Sequence, residues 1–465
     1  MPYLITVKNN NSILTFVINL KKRKDRREHI LFEFRERSEF KLIIKEAFEH
    51  ETGSLGLWMT LVDIIKNVNQ REDYILICED DHQFTNYYSS QILFQSIEDA
   101  RHKGADVLLG GVSWLNSGLA VSENLFWVED FSGLQFAVIF KKFFNVIAGA
   151  VFESCDAADY KISSLTNKKF IIHPFISTQK EFGYSDVTIK NNLTGHVSDL
   201  FSRSDTCIQL LKKVSDFYNY QPGEADLQNP PDCYEGMIIS TFVLNSLPGS
   251  AEHLAEIKER FDNKPEFDIS IVDVCPNENS NTGKWMAVRS VIEVAIDYDD
   301  DLIILCEDGH LFTEIYSREF LLQNIVEAHA QGAGYLAGGA AGFNYAVQTA
   351  KHRFWVDSCL ASSFFVIYKK LFNRILEESI SGEAPPEKML SDITSSKMVI
   401  YPFISKSNPS DPPSIQLISG RSMAASTNTS FPEAENRLAE IDKVNAIYNG
   451  TKRNVPSQSV QHPFI

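Results

Sequence analysis

The chain has no run of about eighteen apolar residues, so no helix is expected to span a bilayer. Its first residues, Met1-Pro2-Tyr3-Leu4-Ile5-Thr6-Val7-Lys8, lack a basic segment followed by a long apolar one, and no secretory signal is expected. Cysteine is sparse: the 7 cysteines are scattered singly, with no CxxC pair and no Cys/His cluster. That argues against a structural zinc site or a disulfide framework and for a reducing, cytoplasmic setting. Positive charge is also short. Lys and Arg number 44 against 61 Asp and Glu, a net charge of −17 that speaks against nucleic acid as a partner. The cationic residues are unevenly spread, and Lys21-Lys22-Arg23-Lys24-Asp25-Arg26-Arg27 forms a dense basic island.

What the chain does contain is itself, twice. Tyr74-Ile75-Leu76-Ile77-Cys78-Glu79-Asp80-Asp81-His82-Gln83-Phe84-Thr85 returns as Ile303-Ile304-Leu305-Cys306-Glu307-Asp308-Gly309-His310-Leu311-Phe312-Thr313, displaced by 228 positions. The same displacement pairs Phe126-Trp127-Val128-Glu129 with Phe354-Trp355-Val356-Asp357. It also pairs His173-Pro174-Phe175-Ile176-Ser177 with Tyr401-Pro402-Phe403-Ile404-Ser405. A repeat of a little over two hundred residues is a domain, because solenoid units run to about 20 to 50 residues.

Within each unit apolar runs alternate with helical patterns. Strands are expected at Thr15 to Leu20, from Tyr74, at Val107 to Leu109, around Phe126 and from Phe136 to Phe140. Helices are expected at Arg26 to Arg37, Leu57 to Val68 and Ser90 to Lys103, with closing helices at Thr206 to Tyr218 and Glu433 to Ile447. This βα alternation predicts an α/β fold with a mainly parallel sheet and helices on both faces. The organisation expected is one domain over 1–220, a Pro-rich acidic linker over 221–236, a second domain over 237–450 and a loose tail from Thr451 to 465.

The acids at the end of the Tyr74 strand carry the chemistry. Ligands of open α/β sheets bind at the carboxyl ends of strands, where an acidic triplet can hold a divalent cation against a phosphorylated substrate. Mn²⁺ or Mg²⁺ on Asp81, with Asp80 as second ligand or ribose contact, would stabilise a departing diphosphate as a Lewis acid. His82 is either a third ligand or a structural histidine bonded to a neighbouring loop. Glu79 is read as a structural acid. Arg26 either meets the diphosphate from the first strand-to-helix turn or belongs to a solvated helix face. Gly53 and Gly56 allow close approach of backbone to a donor. An acceptor hydroxyl needs a carboxylate base, for which Asp159, Asp130 and Glu129 are the candidates.

Val17-Ile18-Asn19-Leu20 with the basic island, Gly53-Ser54-Leu55-Gly56 opening a helix, and Glu79-Asp80-Asp81 after a strand together resemble glycosyltransferase family 25. This family includes lipopolysaccharide-modifying sugar transferases and collagen galactosyltransferases. The resemblance covers most of residues 13 to 190. It implies tandem GT-A-like domains, a nucleotide-sugar donor such as a UDP-hexose, a divalent metal and inversion at the anomeric carbon. It also implies donor-binding roles for Asn19, Arg26, Gly53, Asp80, Ser185 and Asp186, and a catalytic one for Asp159, whose Asp159-Tyr160 pair matches a late Asp-Tyr of the family. Acceptors of this class are glycans, lipid-linked sugars or peptide hydroxyls. Trp58-Met59 departs from the Ser-His that the family often carries after the glycine turn.

The second unit has lost parts. Gly309 stands where Asp81 does, and Ser246-Leu247-Pro248-Gly249-Ser250 replaces the basic island. It is therefore read as a degenerate copy kept for packing, acceptor binding or pseudo-dimer formation, with Glu307 and Asp308 left as a weak metal pair. The leading expectation is an inverting, metal-dependent glycosyltransferase whose active site lies in the first unit. The competing one is a non-catalytic glycan- or nucleotide-sugar-binding protein made of two pseudo-transferase domains. A third is a phospho- or nucleotidyltransferase on a similar sheet.

Overall fold

A computed structural model describes residues 12–68, 71–184, 189–220, 234, 236–274, 280–379, 384–407 and 430–450. The expected linker and tail, and Ser185 and Asp186, lie largely or wholly outside the described residues. The chain divides into two compact units, Met1–Lys212 and Lys213–Ile465.

Unit 1 runs β1 (Ile13–Asn19), α1 (Lys24–Phe34), β2 (Phe40–Glu46), α2 (Gly53–Asn67), β3 (Tyr74–Glu79), β4 (His82–Phe84) and α3 (Ser90–His102). It continues through β5 (Val107–Leu109), β6 (Trp114–Leu115), β7 (Gly118–Ala120), β8 (Leu125–Val128), β9 (Phe131–Ser132) and β10 (Phe136–Phe140). Then come α4 (Lys141–Gly149), α5 (Ala158–Ser164), β11 (Lys169–Ile172), β12 (Ser177–Gln179) and α6 (His196–Tyr218).

The main sheet has the order β2-β1-β3-β10-β5-β11-β8-β7. β10 is antiparallel to both β3 and β5, and β8 is antiparallel to both β11 and β7. The other strands share one direction, so the sheet is mixed: a mostly co-directional set interrupted by two reversed strands. The reversal follows from connection length. β10 reaches the centre of the sheet after the small β6–β9 ribbon and not through a crossover helix, and a strand returning without such a helix runs antiparallel.

The centre of the sheet is covered on both faces. Ile75 to Cys78 are at most 2% exposed and Phe136 to Phe140 at most 4%, which is why both read as unbroken apolar runs. β2 and β11, which the sequence reading did not place, extend the same sheet.

Unit 2 repeats the order strand for strand: Phe267–Asp273, Ile239–Asn245, Leu302–Glu307, Phe364–Tyr368, Tyr335–Ala337, Lys397–Ile400, Arg353–Val356, Ala346–Ala350. Details repeat too. His82 Nδ1 lies 2.8 Å from Ser177 Oγ, and His310 Nδ1 lies 2.8 Å from Ser405 Oγ. The indole N–H of Trp127 donates to Asn167 O at 2.7 Å, and that of Trp355 to Ser395 O at 2.7 Å. The protein is thus two similar α/β domains of mixed sheet with flanking helices, the tandem GT-A-like arrangement.

Candidate functional site

The site is built where β1 and β3 end. α1 buries Arg26, Ile30 and Phe34, an i, i+4, i+8 stripe in which a cation takes a core-facing position. Arg26 is thereby aimed at the acids that follow β3. One guanidinium nitrogen, Nη1, donates to Asp80 Oδ1 at 3.1 Å and to Asp81 Oδ2 at 2.8 Å, and Nη2 donates to Tyr184 O at 2.7 Å. The rings of Phe182 and Tyr184 lie 4.9 and 4.7 Å from its centre, adding cation–π attraction at a desolvated site. Asn19 Nδ2 donates to Asp80 Oδ2 at 2.9 Å, and Arg23 stands 3.5 Å from Oδ1. Asp80 therefore clamps the turn after β1 to the end of β3.

This geometry bears on the expected cation centre. A divalent ion held by protein alone needs several converging oxygen or nitrogen donors, whereas one shared with a substrate needs one or two carboxylates plus its phosphates. Among the described residues no group of three or more His, Cys, Asp or Glu side chains can hold one. Asp80 and one oxygen of Asp81 already face the Arg26 guanidinium, and what is left on Asp81 is Oδ1, buried with no partner. His82 faces the core, not the acids. It is fully buried among Phe34, Phe84 and Phe136, bonded to Ser177, and burial pushes its pKa well below the usual histidine value. The described side chains form no all-protein cage for Mn²⁺ or Mg²⁺, and no step is routed through one.

Beside this clamp lies a polar cavity of ≈ 180 Å³. Its wall carries three cations, Arg23, Arg26 and Lys180, and three acids, Glu79, Asp81 and Asp159, together with Ser54 and Leu57 of α2. Phe182 and Tyr184 form part of its rim. The strap that carries them follows β12, which pairs with β4, and is tied down by Tyr184 OH donating to Asp25 at 3.0 Å. Glu181 in the same strap accepts from the amides of Gly195 and Val197 at 2.7 and 2.9 Å, near the start of α6.

The three acids differ in state. Asp159 Oδ2 accepts from Ser132 Oγ at 2.6 Å and from Gly133 N at 3.0 Å, where Gly133 takes φ 114°, a conformation that favours glycine. The Glu79 amide donates to Gln135 O at 3.3 Å, but its carboxyl has no hydrogen-bond or ion-pair partner among the described residues. Burial, with Asp81, Asp159 and Asp80 nearby, drives its pKa well above the carboxylate range. Asp81, buried beside Asp80 but eased by Arg26, is pushed up to about 6.

Other expected residues fall elsewhere. Asp130 accepts from Ser163 Oγ at 3.0 Å and from Lys169 Nζ at 3.2 Å and does not line the cavity. Gly53 opens α2. At Gly56 a Cβ would stand 2.4 Å from Phe48 O, so that glycine serves helix packing and not a ligand. The residue the sequence reading undervalued is Glu79, and the signal for it was strand alternation, which puts Glu79 and Asp81 on one side.

Beside Glu307 and Glu387 unit 2 has a small cavity of ≈ 10 Å³ lined mainly by apolar side chains such as Leu244, Leu305 and Phe365, and the residues matching the 181–184 strap of unit 1 lie outside the described ones. Gly283-Lys284-Trp285-Met286 aligns with Gly56-Leu57-Trp58-Met59, so Lys284 stands where Leu57 does. Its ammonium lies 2.8 Å from Glu307, the counterpart of Glu79. Glu387, the counterpart of Asp159, is pushed up to about 7 by burial and by Glu307. Asp308 is consumed as well, accepting from Ser246 N at 2.6 Å and sitting 3.1 Å from His253 Nε2. The pair expected to bind metal weakly is thus occupied by the protein's own cations and donors.

No family model and no curated protein matches the sequence. Solved structures to which the chain is similar include an apo UDP-glucose pyrophosphorylase, with TM-score 0.26 and 9% identity over 41% of this chain and 82% of that one. A UDP-glucose pyrophosphorylase complexed with UDP-glucose gives 0.26 and 9% over 41% and 81%. The WbbM bifunctional glycosyltransferase in apo form gives 0.21 and 11% over 83% and 86%. The similarity to these nucleotide-sugar enzymes is distant, and strand order and register carry the fold. No described helix is long and apolar enough to cross a membrane.

Proposed function

We propose that unit 1 is a binding domain for a nucleotide-sugar or glycan and that unit 2 is a pseudo-copy of it with its acids paired within the chain. The carrying observation is an asymmetry at one acid: Glu79 faces a polar cavity of ≈ 180 Å³ in unit 1, whereas its counterpart Glu307 is paired with the Lys284 ammonium at 2.8 Å in unit 2. The chemistry of the wall suits a sugar. Carboxyl groups pair with hydroxyls, Arg23 and Lys180 can meet a phosphate, and the Phe182 and Tyr184 rings offer apolar faces. Sites enclosing a drug-sized ligand run to about 300–1,000 Å³, so this one takes a single moiety and leaves the remainder on the rim.

Isothermal titration of the full chain with UDP, UDP-glucose and short glycans tests the reading. Binding lost in Asp81→Ala and retained in Asp308→Ala supports it, and no binding of any of these ligands overturns it.

A second reading is transfer with Glu79 as the proton-transferring group, because a carboxyl of the cavity wall with no side-chain partner, its pKa raised by burial and neighbouring acids, is of the kind that proton transfer uses; it departs from the metal and the Asp159 role that the family 25 resemblance implies. Slow hydrolysis of UDP-glucose in EDTA, abolished by Glu79→Gln, would favour it over simple binding.

A further inference from the structure

The two units give two answers to one electrostatic problem. In each, a glutamate ends the central strand and a second acid starts a short helix: Glu79 with Asp159, Glu307 with Glu387. Taking such acids out of water is costly unless a cation joins them. Unit 2 supplies the cation from its own chain. The Lys284 ammonium reaches Glu307 at 2.8 Å, and Glu307, Glu387 and Asp308 hold its pKa above the usual lysine value despite burial. Unit 1 has Leu57 at that place and an open cavity, and the Glu79 carboxyl is left without a partner among the described residues. Arg26 is close enough to lower the Glu79 pKa, but its Nη1 and Nη2 donate to Asp80, Asp81 and Tyr184 O and it makes no ion pair with Glu79.

We infer that the ligand of unit 1 brings the missing cation, and that the cavity between Glu79 and Asp159 recognises a sugar carrying a free amino group, seated as Lys284 is seated in unit 2. An ammonium suits this place better than a divalent ion. It satisfies itself with one or two carboxyl oxygens near 2.8 Å, as the Lys284 ammonium does on Glu307, whereas an all-protein metal cage needs a converging set that the described residues do not form. Burial and neighbouring acids raise the Glu79 pKa, and an arriving ammonium would favour its carboxylate form. The inference rests on the reading of unit 1 as a sugar-binding domain.

The experiment is titration calorimetry and thermal shift on the full chain with matched probes: glucose, glucosamine and N-acetylglucosamine, each free and as its UDP conjugate, with ethanolamine and Mn²⁺ alone as controls. A free-amine sugar is expected to bind at least about tenfold more tightly than its hydroxyl and acetamido forms, since a charge-assisted hydrogen bond replaces a neutral one. Glu79→Gln should erase that preference. Leu57→Lys should abolish amine binding, with a melting curve to verify folding. Equal binding of amine and hydroxyl sugars overturns the inference and leaves the sugar-binding reading standing. A shift from ethanolamine as large as that from glucosamine keeps amine recognition and overturns the sugar. Stabilisation by Mn²⁺ beyond any amine, or no binding at all, overturns the inference, and the latter takes the sugar-binding reading with it.

Discussion

Lys284 Nζ sits 2.8 Å from Glu307 Oε1 in unit 2, at the place where Leu57 leaves Glu79 facing an open cavity in unit 1. One side chain on the first turns of a helix therefore decides whether the glutamate at the strand end is paired within the chain. Removing it should be costly: Lys284→Leu leaves Glu307 and Glu387 without a cation. A loss of about 1–3 kcal/mol at pH 8 is expected, discounted because both partners are about a quarter exposed. The loss should shrink towards pH 5 as Glu387 takes up a proton, and chemical denaturation at the two pH values measures it.

Glu79 gives unit 1 a pH dependence of fixed sign. Its folded pKa is raised, so its contribution to stability is full below the unfolded value of about 4.3 and is lost as pH rises through the folded value. Asp81, pushed up to about 6, acts in the same direction. Because buried His82 and His310, with lowered pKa values, pull the whole chain the opposite way, the effect is read as the difference between Glu79→Gln and the parent at pH 5 and pH 8. Glu79→Gln should raise stability at pH 8 by about 1–2 kcal/mol and flatten the profile. A calorimetric scan in which Gln lowers the melting point at pH 8 would sink this account.

Arg26 is 6% exposed in its side chain and holds Asp80, Asp81 and the Tyr184 strap together. Arg26→Ala should cost about 3–5 kcal/mol, because it leaves two acids buried without their cation. Asp80→Asn should cost less, since its amide still accepts from Asn19. Limited proteolysis should show faster cleavage near residue 184 in Arg26→Ala than in the parent, and unchanged cleavage would separate the strap from the clamp.

Metal removal should matter little. With Asp80 and Asp81 committed to Arg26, and His82 committed to Ser177, EDTA should change the affinity of unit 1 for a nucleotide-sugar by less than about twofold. His82→Ala should destabilise by about 2–4 kcal/mol through the cavity and the lost hydrogen bond, with or without Mn²⁺. A Mn²⁺-dependent gain in affinity of tenfold or more in the parent, absent in Asp81→Ala, would restore the cation.

Periodicity and repetition were enough to reveal the two domains, the central strands and most of the helices, because burial on both faces writes itself into apolar runs such as Ile75 to Cys78 and Phe136 to Phe140. The same reading marked Arg26 and the acids after β3 as one place. It could not say how they are used. Asp80 and Arg26 are far apart in the chain, and whether an acid meets an ion, an arginine or water depends on which side chain the fold sets beside it. The reversed directions of β10 and β8 were hidden for the same reason, since pairing partners are chosen in three dimensions. So was the fate of the second copy: Lys284 stood in plain view beside Trp285, but only packing the helix against the sheet sets its ammonium on Glu307, where unit 1 has a leucine.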